Sequence, residues 1–328
     1  MSMSLLNCRI NQHQFGDPKE SLKYESVSLE VLGQGKVRVE VEATNINPSD
    51  LLSIYGVGQY KNNHVPPRVP GFEAVGRVRQ SHSSEFLEGD RVVVATSGTW
   101  QRYIDVEPNN LFHVPEHLEA GFASQLYINS LTAWVLTHEV AALTNDDCLI
   151  INAGNSAIGK IFAQLSQSLV FTLIVVTSSP DRYRYKTPYV VHTNEDFVEQ
   201  IRRLGAPLPN VAFDAIGGTA GEKLLNTLKD AGRFINYGTL SLELYQPSFF
   251  QSAKRANVEF RTFFLRYWED GVGSQVRRNA FESMLKHFLS NDIALDVDRS
   301  MCFSDYLQAI ELIESNKPLE GKIILIPS

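Results

Sequence analysis

The chain has 328 residues, 43% of them hydrophobic and 20% charged, which is enough for about two globular domains. Its formal net charge of −7 provides no broad basic surface, which argues against nucleic acid or an anionic membrane as a partner. No apolar run reaches the roughly 18–20 residues of a membrane-spanning helix, and the first residues do not resemble a secretory or transit peptide, so we expect a cytoplasmic protein.

Short extended runs separated by turn residues dominate residues 1–122. They include VRVEVEATNI (37–46), AVGRVRQ (74–80) and RVVVAT (91–96), and their apolar residues alternate with a period of two. This part of the chain is therefore predicted to be an irregular β-rich domain. The three cysteines, at positions 8, 148 and 302, are too few and too far apart for a disulfide framework or a four-cysteine zinc site.

From about residue 123 to 268, short apolar strands alternate with helical segments, which predicts a parallel sheet covered by helices on both faces. The predicted strands are CLIIN (148–152), TLIVVT (172–177), VAFDAI (211–216), RFINYG (233–238) and VEFRTFFL (258–265). The predicted helices lie at 131–140, 157–169, 195–205 and 221–232. Residues 269–328 add two helices, at 276–291 and 303–316, and a final strand at 321–327.

The turn after the first of these strands reads Gly154-Asn155-Ser156-Ala157-Ile158-Gly159. A strict G-x-G-x-x-G motif would have glycine at 156, but serine is also small enough for a pyrophosphate to approach the backbone. The N–H groups at the start of the following helix favour an anion. The segment therefore predicts a dinucleotide-binding turn, and the alternative is an ordinary tight turn between a strand and a helix.

The second strand ends in Thr177-Ser178-Ser179, where an enzyme that prefers NAD usually has an acidic residue for the ribose 2′-hydroxyl. Arg182 follows. Hydroxyls and an arginine suit a 2′-phosphate, so we predict NADPH as the cofactor. The alternative is that the basic run from 181 to 186 is only a solvated loop.

Several motifs together resemble the medium-chain dehydrogenase/reductase superfamily. They are N-P-S-D at 47–50, P-G-F-E at 70–73, G-D-R-V at 89–92, L-T-A at 131–133, the dinucleotide turn and the closing G-K-I-I-L at 321–325. The resemblance implies an α/β protein with a GroES-like β-rich catalytic domain and a Rossmann doubly wound parallel sheet. It implies domain boundaries of 1–122 with 269–328 for the first domain, and 123–268 for the second.

Zinc-containing members of that superfamily have a cysteine near the position of Asn47 and a histidine at that of Phe72. An amide is a poor zinc ligand and a phenylalanine is none, so we expect a zinc-free member with no metal site.

Among zinc-free members, the chain looks most like the NADPH-dependent 2-enoyl thioester reductases, with the quinone oxidoreductases as the alternative. The features that favour the reductases are N-S-L-T-A at 129–133, the glycine-poor turn, and R-T-F-F-L-R-Y-W at 261–268. A third reading, of another class, is a non-catalytic NADP(H)-binding protein.

The resemblance implies a set of cofactor-binding residues spread along the chain. They are Asn129, Thr132, Asn155, Ser156, Ala157, Ile158, Thr177, Ser178, Ser179, Arg182, Tyr237, Gly238, Thr239, Leu240, Phe263, Phe264, Leu265 and Lys322. The family usually has a regular helix after residue 180, and here two prolines and DRYRYK indicate that this helix is shortened or lost.

Reduction of an enoyl thioester needs a hydride at one carbon, stabilisation of the resulting enolate, and a proton at the other carbon. The resemblance makes Tyr60 the predicted proton donor, with Tyr55 as the alternative. Asn47 either hydrogen-bonds the substrate oxygen or caps a turn. Asp50 is expected to fix the loop. The partner is predicted to be a small-molecule substrate, and the family resemblance implies a homodimer formed through the strand at 258–265.

Overall fold

A computed structural model of the chain describes residues 6–58, 60–187, 189–315 and 317–327. The chain divides into two compact units. Unit 1 consists of the residues up to Ile128 together with those from Leu295 onward, and unit 2 is the segment Asn129–Ala294 between them. No helix in the described ranges is long and apolar enough to cross a bilayer.

The strands in chain order are β1 (Leu6–Gln12), β2 (Leu22–Ser28), β3 (Val37–Asn45), β4 (Ala74–Ser81), β5 (Arg91–Val94), β6 (Tyr103–Val106), β7 (Leu111–His113), β8 (Cys148–Ile151), β9 (Thr172–Thr177), β10 (Tyr189–His192), β11 (Val211–Asp214), β12 (Arg233–Asn236), β13 (Glu259–Thr262), β14 (Val297–Cys302) and β15 (Lys322–Ile326). The helices are α1 (Pro18–Ser21), α2 (Pro48–Tyr55), α3 (Tyr60–Asn63), α4 (Ala120–Ala123), α5 (Ile128–Val135), α6 (Ala157–Ser168), α7 (Phe197–Arg203), α8 (Gly218–Leu225), α9 (Pro247–Arg255), α10 (Leu265–Ser290) and α11 (Tyr306–Glu314).

Unit 1 is built on a mostly antiparallel sheet with the order β14-β15-β3-β4-β5-β7, and β6 also pairs with β3. Valines of β3, β4 and β5 pack on one side with Phe86 and Ile104. A second cluster joins Ile54, Trp100, Phe303 and Leu325. Because β3 and β15 run antiparallel with Ile324 opposite Asn45, the start of β15 lies beside the residues that follow β3. This register brings Lys322 to Asn47.

Unit 2 is built on a six-stranded parallel sheet with the order β10-β9-β8-β11-β12-β13. Numbered within the unit, this is the 3-2-1-4-5-6 order of a Rossmann fold, so the strand order reverses between β8 and β11. The core holds apolar side chains from the strands and from α7, α8 and α9, including Ile150, Ile174, Phe234 and Phe249. Ligands of such sheets bind outside the carboxyl ends of the strands at the reversal point.

The structure differs from the sequence prediction in the region after β13. The strand predicted at 258–265 is shorter, and helix α10 already begins at Leu265, with a kink at Gly273. Helix α10 belongs to unit 2, because the Ser168 hydroxyl bonds His287 at 2.9 Å and Gln164 bonds the backbone of Ala294. The second boundary between the units therefore lies at 294/295, whereas the sequence indicated 268/269.

The segment after β9 has no regular helix, as its sequence indicated. It forms one short 3₁₀ turn, Pro180–Arg182, and then the strand β10, which the sequence analysis did not predict. β10 pairs in parallel with β9, with His192 opposite Thr177. The carboxyl ends of both strands consequently lie at the same edge of the sheet.

Candidate active site

The turn between β8 and α6 depends on its two glycines. A Cβ atom on Gly154 would overlap the side chain of Val175 on β9, and one on Gly159 would lie 2.6 Å from the carbonyl oxygen of Gly154. Ser156 caps α6, since its Oγ accepts a hydrogen bond from the N–H of Gly159 at 3.1 Å. The turn therefore presents backbone and small side chains at the amino end of a 12-residue helix, where an anion is favoured.

Asn155 links this turn to the end of β9. Its Nδ2 atom donates to Thr177 Oγ1 at 2.8 Å and to the carbonyl oxygen of Ser179 at 3.3 Å. Thr177 Oγ1 also accepts from the N–H of Ser179. The predicted pyrophosphate turn and the predicted adenosine-phosphate segment are thus joined by direct hydrogen bonds.

A cavity of about 540 Å³ lies at the carboxyl ends of β9 and β10. It is lined by Ser178, Ser179, Pro180, Asp181, Arg182, Val190, His192, Glu195, Gln200 and Arg203. Arg203 pairs with Glu195 at 3.1 Å, and Gln200 bonds both the N–H and the carbonyl of His192. The cavity therefore combines hydroxyls with two arginines and two acidic residues, Asp181 and Glu195. Its predicted members are Ser178, Ser179 and Arg182.

Polar groups also mark the point where the strand order reverses. Asn152, directly after β8, donates to Asp214 Oδ1 at the end of β11 at 2.5 Å. The same oxygen accepts from the N–H groups of Ile216 and Gly217, and Tyr245 bonds the other carboxylate oxygen. This buried carboxylate fixes the loop that follows β11.

The predicted segment 237–240 lies against that loop. The ring of Tyr237 packs edge-on against Phe162 and Phe213, and burial raises the pKa of its hydroxyl, which has no hydrogen-bond partner among the described residues. Gly238 has no room for a Cβ, which would lie 2.5 Å from the carbonyl oxygen of Ala215. Thr239 and Leu240 are exposed.

The other predicted cofactor residues of unit 2 lie on α5 and between β13 and the start of α10. Thr132 is buried on α5, and Asn129 is at the amino end of that helix. Phe263 follows β13 and donates its N–H to the carbonyl of Asn236 at 2.8 Å. Phe264 precedes α10, and Leu265 is its first residue.

In unit 1, a buried carboxylate organises the residues around the N-P-S-D motif. Glu73 Oε1 accepts from Asn45 Nδ2 at 3.0 Å and from Asn47 Nδ2 at 2.8 Å. Its Oε2 accepts from the N–H groups of Tyr127 and Ile128. Burial raises the pKa of Glu73, although the hydrogen bonds from Asn45, Asn47 and Ile128 oppose the rise.

Asn47 is the N-cap residue of α2 and is buried. Its N–H donates to Asp50 Oδ2 at 2.7 Å, and its Oδ1 accepts from Lys322 Nζ at 2.6 Å. Burial lowers the pKa of Lys322 to about 8, against the opposing effect of Glu73 and Asp50, and burial raises the pKa of Asp50 to about 7. Lys322, predicted as a cofactor residue, therefore contacts Asn47, predicted as a catalytic one.

Tyr60 begins α3 and is half-buried. Its ring centroid lies 6.3 Å from that of Phe72 and 6.1 Å from that of His64, and the rings of His64 and Phe72 are 4.9 Å apart. Phe72 directly precedes Glu73 in the loop before β4. The rings of Tyr60 and His64 therefore pack against the loop that carries the buried carboxylate.

Tyr55, the alternative proton donor, is engaged elsewhere. Its hydroxyl donates to Glu314 Oε1 at 2.6 Å, and burial together with Glu314 raises its pKa. This contact favours Tyr60 of the two tyrosines.

Phe72 is buried, and no group of three or more His, Cys, Asp or Glu residues in the described ranges could hold a metal ion. The expected absence of zinc remains a prediction.

Two family models match the chain. The alcohol dehydrogenase GroES-like domain matches residues 33–116, and the zinc-binding dehydrogenase model matches residues 187–325. A crystal structure of a putative NADPH:quinone reductase from Bacillus thuringiensis is 32% identical, covers 98% of this chain and 99% of that chain, and has a TM-score of 0.91. The chain belongs to the medium-chain dehydrogenase/reductase superfamily.

Two further proteins are similar to the chain. The mitochondrial enoyl-[acyl-carrier-protein] reductase of Dictyostelium discoideum is 27% identical over 327 residues, which cover 95% of this chain and 92% of that protein. The Escherichia coli quinone oxidoreductase, solved in complex with NADPH, is 21% identical with a TM-score of 0.87 and covers 98% of this chain and 100% of that one. The second likeness shows the fold alone.

Superfamily membership confirms the predicted fold, a GroES-like domain with a Rossmann domain, and the oxidoreductase class. Four residues near these sites were not predicted from the sequence: His192, Gln200 and Arg203 in the cavity of unit 2, and His64 beside Tyr60. The run YVVH, read as a strand parallel to TLIVVT, would have placed His192 at the same edge as Thr177. The position of His64, one helical turn after Tyr60, would have indicated a shared face.

Proposed function

We propose that this oxidoreductase is an NADPH-dependent reductase of the carbon–carbon double bond of 2-enoyl thioesters. The observation that carries the proposal is the position of Tyr60, which packs on Phe72 next to the buried Glu73 network while the alternative Tyr55 bonds Glu314. The relatives named enoyl-[acyl-carrier-protein] reductase support the substrate class, including the one from Dictyostelium discoideum.

NADPH fits the residues of unit 2. The turn at 154–159 leaves no room for a side chain at its two glycines, and the cavity beside it offers Ser178, Ser179, Arg182 and Arg203 to a phosphate. When bound, the cofactor supplies the hydride. The arginines favour the 2′-phosphate that distinguishes NADPH from NADH, because bonds between charged partners are the stronger ones.

In this proposal the Tyr60 hydroxyl gives the proton, since a tyrosine hydroxyl can both donate and accept a hydrogen bond. Asn47 is held by Lys322 and Glu73, so its carboxamide has a fixed orientation. We assign Asn47 to orienting the site, with a direct hydrogen bond to the substrate oxygen as the alternative.

The test is NADPH oxidation, with NADH in parallel, on trans-2-enoyl-CoA thioesters of several chain lengths, simple quinones and a small enone. We expect turnover with thioesters and a fall in kcat of about 100-fold in Tyr60→Phe, the size of a general-acid contribution. Tyr55→Phe is the matched control and should retain native kcat. Native activity in Tyr60→Phe would contradict the assignment of the proton donor.

Quinone reduction is the second candidate, and it is favoured by the 32% identity to the putative NADPH:quinone reductase from Bacillus thuringiensis. Turnover with quinones and none with thioesters would transfer the chain to that group. Tight NADPH binding without turnover of any acceptor would support a non-catalytic role.

We also propose a homodimer, formed by pairing of β13 across a two-fold axis. Within the described residues β13 pairs only with β12, and its residues are mostly exposed. Unit 2 also exposes Leu242 and Leu244, the latter 84% accessible. Light scattering after gel filtration should give a dimer at micromolar concentration, and a monomer would contradict the proposal.

The cytoplasmic location remains a prediction, since several relatives are mitochondrial.

A further inference from the structure

A charged group holds each polar end of Asn47. Lys322 Nζ donates to the carboxamide oxygen at 2.6 Å, and the carboxamide nitrogen donates to Glu73 Oε1 at 2.8 Å. The backbone N–H of Asn47 donates to Asp50 Oδ2 at 2.7 Å. The three partners come from β15, from the loop before β4 and from α2 itself. The amide is thus a bridge between segments that are far apart in the sequence.

The ammonium of Lys322 is buried, and burying a charge is costly unless strong partners compensate for it. Its two hydrogen-bond acceptors in the described residues are the carbonyl oxygen of Ile46, at 3.1 Å, and Asn47 Oδ1. Both belong to the two residues that precede α2. Lys322 therefore acts on the entry to this helix, while its attraction to Glu73 passes through the carboxamide of Asn47.

The start of α2 is connected to Tyr60 by a short series of hydrogen bonds. Ser53 Oγ donates to the carbonyl of Asp50, and Arg68 Nη2 donates to the same Ser53 Oγ, both at 2.7 Å. At the end of the helix the N–H of Val57 donates to the carbonyl of Leu52, and the N–H of Tyr60 donates to that of Val57. Hydrogen bonds therefore hold both ends of α2 and join its last turn to the residue that begins α3.

We propose that Lys322 is a positioning residue, whose ammonium holds the carboxamide of Asn47 and thereby fixes α2 and the segment that carries Tyr60. The inference rests on the proposed role of Tyr60 as proton donor. It makes the fixed amide, together with its cation, a part of the machinery that orients the phenol.

We call the hydrogen bonds of Lys322 and Glu73 to the carboxamide of Asn47 the clamp. The variants Lys322→Met, Asn47→Ser and the double variant test it, with Arg38→Met as the control. Arg38 is also a buried cation of unit 1, but it pairs with Asp105 between β3 and β6. Asn47→Ser keeps every charge and retains a residue that can cap α2. It therefore distinguishes the loss of the Asn47 hydrogen bonds from a change in the buried charges of Lys322, Glu73 and Asp50. It also remains informative if Lys322→Met fails to fold.

Two readouts decide the outcome. In the cofactor-free protein, hydrogen–deuterium exchange over residues 48–64 should become at least about 10-fold faster in both single variants, because the segment opens locally. With trans-2-hexenoyl-CoA, kcat should fall about 10-fold while KM changes less than about 3-fold, the pattern of a lost transition-state contact. The double variant should be no worse than either single one, which is the signature of coupled residues.

Arg38→Met should lower the melting temperature and leave both readouts at native values. Native exchange and native kcat in Asn47→Ser would overturn the proposal, and so would faster exchange spread evenly over unit 1. If the native protein reduces no thioester, the proposed function fails, and the exchange measurement still decides whether the clamp exists.

Discussion

The two units of this oxidoreductase handle charge in opposite ways. Unit 1 contains 21 acidic and 14 basic residues and therefore carries the whole net charge of −7, whereas unit 2 contains 16 of each and is neutral. Unit 1 buries Asp50, Glu73 and Lys322 together. Unit 2 has an apolar core between its helices and sheet, and places its polar groups at the carboxyl ends of the strands.

The difference teaches how each unit prepares a site. In unit 2 the candidate phosphate site is formed mainly by the backbone. A tight turn at the end of β8 and the amino end of α6 suit a phosphate and need few specific side chains. In unit 1 the arrangement depends on side chains that meet from distant segments, as Asn47, Glu73 and Lys322 do. The turn of unit 2 depends on its two glycines, and the network of unit 1 depends on the identity of its side chains.

The largest expected effect concerns the buried charges of unit 1. Burial raises the pKa of Asp50 from 3.8 to about 7, so the folded state holds a proton that the unfolded state releases between these values. The contribution of Asp50 to the free energy of unfolding therefore falls as pH rises from 4 to 7. Asp50→Asn removes this pH dependence. The free energy of unfolding of the variant, minus that of the native chain, should therefore increase by about 1.4 kcal/mol per pH unit from pH 5 to 7.

Urea denaturation of the native chain and of Asp50→Asn at several pH values measures this difference in stability. An equal pH dependence in both proteins would contradict the prediction.

Lys322 acts in the opposite sense at higher pH. Since burial lowers its pKa from 10.5 to about 8, the folded state releases a proton that the unfolded state retains, and the contribution of Lys322 to stability rises between pH 8 and 10.5. Lys322→Met should abolish that rise.

The next effect tests the backbone site of unit 2. Gly154→Ala introduces a Cβ that overlaps Val175, and we expect a loss of about 1–3 kcal/mol in stability, as for other overpacked positions. NADPH binding, followed by its fluorescence, should weaken by at least about 10-fold, or roughly 1.4 kcal/mol. Gly271→Ala is the control, because nothing lies within 4 Å of a Cβ at that position. Native NADPH affinity in Gly154→Ala would show that the turn does not bind the cofactor.

The smallest effect separates the two cofactors. Arg203 lines the cavity and Arg202 does not, although both lie on α7 and each pairs with a glutamate. Arg203→Leu should weaken NADPH binding by about 10-fold, the value of one charge-assisted hydrogen bond, and leave NADH binding unchanged. Arg202→Leu should change neither dissociation constant. Equal losses for NADPH and NADH would place Arg203 outside the phosphate site.

The sequence predicted unit 2 better than unit 1 for a physical reason. Near-continuous apolar strands and a small-residue turn are local patterns, and they correctly predicted five of the strands and the start of helix α6 after the turn. The sixth strand, β10, lies outside the predicted pattern because YVVH is short and follows a stretch rich in tyrosine and arginine. Helix α10 was predicted to start at 276, since the two glycines at 271 and 273 conceal its first turns.

In unit 1, neither the amino-acid composition nor the periodicity of apolar residues could predict the hydrogen bond between Asn47 and Lys322. That contact follows from the antiparallel register of β3 and β15, which only tertiary pairing fixes. The motif resemblance indicated both residues but assigned them to different tasks. The hydrogen bond between Tyr55 and Glu314 was equally invisible, because 258 residues separate the two side chains.

The insertion of unit 2 within unit 1 also sets an order of events during synthesis. A ribosome translates Asn47, Asp50 and Glu73 first, then the whole of unit 2, and only afterwards Lys322. Until β15 emerges, Asp50 and Glu73 have no buried ammonium near them, and the sheet of unit 1 lacks one of the strands that pair with β3. A nascent chain should therefore complete the dinucleotide-binding unit before Lys322 can bond Asn47.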